Sequence, residues 1–184
     1  MDPKAVIIIA IAIVALLIVI WAVMRKRRVS TLRERFGPEY DRLAKERGAS
    51  RAETVLEARQ KRVEKFPLRL LAVDERERFI SQWRAVQARF VDDPVNAVHE
   101  ADGLVMQLME KRGYPMAEFE QRAADISVHY PRVVDNYRAA HEIALRHKRG
   151  EATTEDLRNS MIYYRTLFEE LLETNSNTVK REVA

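Results

Sequence analysis

Apolar and polar positions fall into two regimes along the chain. From Ala5 to Met24 the sequence AVIIIAIAIVALLIVIWAVM holds no charged residue, whereas from Arg25 onward charged and apolar residues interleave. Twenty residues at about 1.5 Å rise reach about 30 Å, the thickness of a bilayer's hydrocarbon core. The pattern therefore predicts one transmembrane helix over residues 5–24. Asp2 and Pro3 supply an N-cap and a first-turn proline, and Trp21 stands where an interfacial aromatic is expected. A buried core helix seldom stays apolar on every face for this length. A cleaved signal peptide would end in small residues, but here Ala22-Val23-Met24 runs straight into four cations.

Past Arg25, proline and glycine punctuate the pattern. Gly37-Pro38 predicts the end of the helix leaving the membrane and the start of another, which Gly48 closes. Ser50-Arg51-Ala52-Glu53 matches a capping box and predicts a third helix, with only Val55, Leu56, Val63 and Phe66 as apolar residues. A helix this polar can lie on a membrane, pack on a domain or bridge to a partner. Pro67 marks the next boundary, and the run to Val91 sets Phe79, Trp83, Val86 and Phe90 on one face. Asp93 and Pro94 are the N-cap and first position of a helix carrying Val95, Val98, Val105, Leu108 and Met109, closed by Gly113. Phe119, Ala123, Ile126 and Tyr130 continue the period as far as Pro131, which should kink or break the helix. Val134, Tyr137, Ala140 and Ala144 resume it up to Gly150. Thr153 or Thr154 then caps a final helix with Leu157, Met161, Tyr164, Phe168 and Leu171 on its apolar face.

No segment alternates with period two or carries hairpin dipeptides, so the expected fold is all-α. It comprises one N-terminal transmembrane helix, polar juxtamembrane helices, and a bundle of four or five helices. The expected organisation is a short extracytoplasmic N-terminus (1–4), the span (5–24), a basic and polar spacer (25–66), the bundle (67–173) and a polar, flexible tail (174–184).

Charge gives the span a direction. Arg25, Lys26, Arg27, Arg28, Arg33 and Arg35 follow it, while Lys4 alone precedes it, offset by Asp2. Lys and Arg near a span are retained on the cytoplasmic side. The expectation is an inner (plasma) membrane protein with its N-terminus outside and its helical domain in the cytoplasm. Trp21, Arg25, Lys26, Arg27 and Arg28 are the residues that face the membrane interface, where each cation near anionic headgroups contributes on the order of 1 kcal/mol. Elsewhere the two charge signs interleave, so the pI of about 9.4 overstates how basic the surface is. The absence of cysteine removes disulfides, thiolate metal sites and cysteine nucleophiles.

The sequence offers little for catalysis. Phosphate loops need clustered glycines, and the five here are isolated at Gly37, Gly48, Gly103, Gly113 and Gly150. No serine sits in a glycine-flanked elbow. A di-metal bundle site needs Glu three residues before His, but Asn96, Ile126, Arg138 and Ala144 precede His99, His129, His141 and His147 at that spacing. His141-Glu142 begins like a zinc-protease motif, yet the next histidine, His147, is six residues on instead of four. Asp125 with His129, and Tyr137 with His141, stand four apart and could meet on a helix face; ordinary helix stabilisation explains such pairs better than a dyad. No cofactor or metal is expected. Phe79, Trp83 and Phe90 share a stripe with Val86, the pattern of core packing and not of a nucleic-acid stacking surface. Of the adjacent Tyr163 and Tyr164, one must face away from the core.

Arg35-Phe36-Gly37-Pro38-Glu39-Tyr40-Asp41, Phe90-Val91-Asp92-Asp93-Pro94, Ala101-Asp102-Gly103-Leu104-Val105, Arg112-Gly113-Tyr114-Pro115 and Thr154-Glu155-Asp156-Leu157-Arg158 together resemble a group of uncharacterised bacterial proteins. Each of these has a short N-terminal span and a charged helical domain. The resemblance covers almost the whole chain and implies a bacterial inner-membrane setting, but it carries no activity or site residue. The expected function is a non-enzymatic, membrane-anchored interaction or scaffolding module, with the bilayer and a protein partner or second copy as partners and no nucleic acid. The alternative is recognition of anionic lipid by residues 31–66, and a helical enzyme or metal-binding protein stands third.

Overall fold

The computed structural model describes the backbone of residues 3–182; the side chains of residues 1–12, 14, 21, 25, 26, 28 and 173–184 lie outside the described set. The described residues form eight helices and no strand: α1 (Pro3–Phe36), α2 (Pro38–Arg47), α3 (Ala49–Val63), α4 (Val73–Arg89), α5 (Pro94–Lys111), α6 (Phe119–His129), α7 (Val134–Lys148) and α8 (Thr154–Glu182). Two compact units divide the chain, Met1–Leu56 and Glu57–Ala184, with the boundary inside α3. The tail expected over 174–184 falls on residues whose side chains lie outside the described set.

In the first unit, the expected span Ala5–Met24 lies within α1, its side chains at 5–12 outside the described set. Among the described residues, no helix is long and apolar enough to cross a membrane. The described apolar side chains between Ile13 and Met24 are exposed, Leu16, Leu17 and Ile18 at 60% each. Gly37 ends α1 with a φ of 45°, and Pro38 at the first turn of α2 needs no donor there, so the Gly-Pro joint forms where the sequence places it. The buried Glu39 carboxylate is satisfied by the Arg42 guanidinium at 2.9 and 3.1 Å. One expectation fails: Ser50 and Glu53 make no capping box. Gly48, at φ 84°, closes α2 and its carbonyl accepts the Ala52 N–H at 3.0 Å, so α3 has already begun at Ala49 and Ser50 lies within its first turn.

The second unit holds the bundle, and five helices follow Pro67 among the described residues. The boundary expected at Pro67 is a stretch instead of a point. The Arg69 N–H donates to the Arg112 carbonyl at 3.1 Å, which draws this segment along the end of α5, and α4 starts only at Val73. Glu75 accepts the Ala72 N–H at 3.1 Å and pairs with Arg69 through both oxygens at 2.8 and 2.9 Å. These partners hold its carboxyl down at about 2. Asp93 caps α5 as expected, accepting the Asn96 N–H at 3.2 Å, with Pro94 next. Pro131 breaks the helix outright, separating α6 from α7. At α8 the cap is Thr153: its Oγ1 accepts the Asp156 N–H at 3.1 Å while Asp156 accepts the Thr153 N–H at 2.8 Å, a reciprocal box.

The core gathers Trp83 and Val86 of α4, Leu104, Val105 and Leu108 of α5, Tyr137 and Ala140 of α7, and Tyr164, Leu167, Phe168 and Leu171 of α8. Tyr164 is fully buried and Tyr163 half-buried, so the adjacent pair splits as expected. Gly113 permits one close approach. A Cβ there would lie 2.4 Å from the Pro67 carbonyl oxygen, and its φ of 90° disfavours any side chain. Gly113→Ala is therefore expected to lower stability by about 1–3 kcal/mol. Gly103→Ala, in the interior of α5 with open space around it, is expected to raise stability by about 0.5–1 kcal/mol. Thermal melts followed by circular dichroism should move in opposite directions for the two.

Candidate functional site

The interface residues expected from the sequence are only partly described. Trp21, Arg25, Lys26 and Arg28 have side chains outside the described set. Arg27 is exposed, and its carbonyl accepts the Thr31 hydroxyl at 3.0 Å.

Neither helical dyad forms. Asp125 pairs with Arg62 of α3 and accepts from Gln121 at 3.2 Å, whereas His129 Nδ1 meets the Tyr114 hydroxyl at 2.8 Å. The reason lies in α6, where residues 123–128 are buried one after another, so the helix is covered around its whole circumference. Asp125 is 2% exposed, and the Arg62 guanidinium is the charge that meets it there. Burial pushes the Asp125 carboxyl above its ordinary range, against the opposing pull of Arg62 and Arg59. Arg59 also donates to the Ser127 hydroxyl at 3.3 Å, so the last two turns of α3 are fastened to α6 by two arginines.

Tyr137 and His141 also part company. His141 stacks on Phe119 at 3.6 Å between ring centroids, while the Tyr137 hydroxyl accepts from Arg122 at 3.3 Å. Asp102 bears on this same region: its charge favours the neutral phenol of the buried Tyr164, and it opposes the burial that pushes the His141 ring below its ordinary range. The Tyr164 hydroxyl faces Asp102 without a well-formed hydrogen bond. Burial pushes both Tyr137 and Tyr164 upward. These groups from α5, α6, α7 and α8 resemble an acid–base cluster, but both phenols are fully buried, so a substrate has no route to them. Among the described residues, no group of three or more His, Asp or Glu is arranged to hold a metal.

Among the described residues, an accessible feature is the groove between α4 and α8. These helices meet through Trp83 and Phe168, whose rings stack at 4.6 Å with 19° between their planes. Such a pair contributes about 0.5–1.5 kcal/mol beyond its area. Beside the stack lie two cavities of about 310 and 180 Å³, both lined in part by Gln87 and Arg165. Ile80, Trp83, Phe168 and Leu172 floor the larger; Phe90, Met161 and Ile162 floor the smaller. Arg76, Arg84, Arg158 and Arg165 rim them, with Glu169 as the single acid. Arg158 is held by Glu155 at 2.9 Å and Arg165 stands 3.8 Å from Glu169. Arg76 and Arg84 have no ion pair among the described residues. The Trp83 indole N–H, buried, has no acceptor.

Neither a protein-family model, a curated protein nor a solved structure matches the chain. The groove was not foreseen in the sequence. The signal available was the spacing of Arg76, Ile80 and Arg84 around Trp83, which sets two cations at the edge of the face that carries Phe79, Trp83 and Val86.

The Arg62–Asp125 pair yields a test with a definite pH sign. Arg62→Ala leaves a buried carboxylate short of its cation and is expected to cost about 1–3 kcal/mol at neutral pH. The Asp125 carboxyl already titrates above its unfolded value, so native protonation sets in first as pH falls. Protonation removes the charge that needed Arg62, and the deficit of Arg62→Ala should shrink on acidification. Urea denaturation of both proteins at neutral and acidic pH measures this; a deficit that does not change with pH would show that the pair is not its source.

Proposed function

We propose that the protein is a non-enzymatic, single-span membrane protein whose helical domain works as an interaction module at the inner membrane surface. The observation that carries this reading is the exposure of α1. Leu16, Leu17, Ile18, Val19 and Ile20 are five consecutive residues, which at about 100° each encircle the helix, and all five are exposed. An apolar helix left uncovered on every side needs lipid around it. The twenty-residue length of Ala5–Met24 and the cations at Arg25, Lys26, Arg27 and Arg28 support a crossing with the domain inside. The resemblance to single-span bacterial proteins agrees with this setting. The interaction role is supported by the groove, whose two apolar-lined cavities are rimmed by Arg76, Arg84, Arg158 and Arg165.

A second reading has its own observation. Residues 25–66 hold fourteen Lys and Arg against seven Asp and Glu, whereas 67–172 hold fifteen against eighteen. The spacer's excess positive charge favours contact with anionic headgroups.

Three measurements test the leading reading. The full chain should stay in the membrane fraction through alkaline extraction, while the Ile13→Arg, Leu17→Arg double variant, penalised by roughly 5–7 kcal/mol on insertion, should be lost from it. The cysteine-free chain accepts a single reporter at the exposed Ser81. Ser81→Cys should escape a membrane-impermeant maleimide in intact cells and react after lysis. Crosslinking in membranes should recover a reproducible partner or a second copy. Release of the full chain by alkali, labelling in intact cells, or an uncrosslinked monomer would each remove the corresponding part of the reading.

A further inference from the structure

We infer that the groove between α4 and α8 docks an acidic, amphipathic helix of a partner protein. This rests on the interaction-module reading and supplies that reading's surface and the chemistry of its partner.

Size and shape come first. Along α8 the groove runs from Arg158 to Leu172, about 21 Å at the rise of a helix, the length of a helical segment of about fourteen residues. Its apolar lining falls in two pockets along that length, Phe90, Met161 and Ile162 in one and Ile80, Trp83, Phe168 and Leu172 in the other, with Gln87 and Arg165 common to both. That is the surface a helix uses when it lays side chains at i, i+3, i+4 and i+7 into a trough.

Charge selects the partner. Arg76 and Arg84 stand two turns apart on α4, close to 12 Å by helix rise, and neither is neutralised by a described residue. Arg165 stands on the opposite wall, drawn only weakly by Glu169 at 3.8 Å. A helix with carboxylates two turns apart beside its apolar stripe meets the pair on α4 in register. Residues 67–172 carry an excess of carboxylates overall, so this cationic rim is a local exception and not an extension of a basic surface. A polyanion such as nucleic acid would meet that wider acidic field, whereas a short acidic helix seated in the groove answers only to its rim.

The test uses the full chain in neutral maltoside micelles and a fluorescein-labelled fourteen-residue peptide with Leu at helical spacing and Glu between, read by anisotropy. The expected result is saturable binding, weaker by about tenfold or more when Gln replaces Glu in the peptide, and weaker by a similar factor for the R76E/R84E variant. Both arginines lie outside the core, and an unchanged thermal melt of the variant confirms an intact fold. Absence of binding by the Glu peptide, equal binding by the Gln peptide, or undiminished binding by R76E/R84E overturns the proposal. Phosphatidylglycerol added to the micelles is the competing arm: displacement of the peptide by it, where phosphatidylcholine does nothing, assigns the groove to anionic lipid and also overturns it. If the groove fails while crosslinking in membranes still recovers a partner, the interaction module stands with another surface. Loss of both removes the module reading itself.

Discussion

The breadth of the apolar face of α8 is the constraint on which the second unit depends. Tyr164, Leu167, Phe168, Leu171 and Leu172 follow the i, i+3, i+4, i+7, i+8 pattern, and Leu157, Met161 and Ser160 extend the buried surface toward the start of the helix. A stripe that wide cannot be covered by one neighbour. α5 and α7 each pack along α8, and Arg112, itself buried, ties the end of α5 to the Leu171 carbonyl at 2.8 Å. α4 reaches α8 differently, through one aromatic stack. Because two flat rings fill the space between these helices, the seam on either side of Trp83 and Phe168 stays open, and the groove follows from how the third side of α8 is covered.

Polar groups inside the same unit fix its register. Asp125 and Ser127 sit in a helix buried all round, where an unmatched carboxylate would be costly. Arg62 and Arg59 answer them from α3, three residues apart on that helix. A shift of α3 by one residue along α6 would misplace both guanidinium groups at once, so the pair specifies position even where its net contribution to stability is small. The buried phenols of Tyr137 and Tyr164 act similarly, the first accepting from Arg122 and the second facing Asp102.

How much of this was legible in the sequence depends on the range of the physics involved. Gly37-Pro38, Gly48, Asp93-Pro94, Pro131 and Thr153 act on their own backbone within a turn, and all five mark real boundaries. Ser50 resembles a cap in sequence, but Gly48 supplies the carbonyl that starts α3, a competition between two local signals. The late start of α4 was hidden because Arg69 is held by Arg112, a residue far along the chain. Asp125 could meet His129 four residues away by spacing alone; its cation is sixty-three residues away, a distance that periodicity cannot see. The groove was hidden for a related reason. An arginine reads the same in sequence whether or not a carboxylate meets it, and the lack of a partner for Arg76 and Arg84 exists only in three dimensions.

The two concentrations of positive charge, in the spacer and at the groove, obey different physics. The spacer's fourteen cations against seven carboxylates are spread over forty-two residues, most of them exposed, and such charge acts as a field that ionic strength screens within about 8–10 Å. It can hold a chain near anionic headgroups without choosing among them. The groove concentrates a few guanidinium groups around an apolar floor, where water is already partly excluded and each pairing is stronger than in bulk solvent. Only the second arrangement can discriminate between one ligand and another, because a carboxylate in the wrong place there loses both its water and its partner. On the reading proposed above, the anchor would set where the domain acts and selectivity would reside where α4 and α8 fail to close.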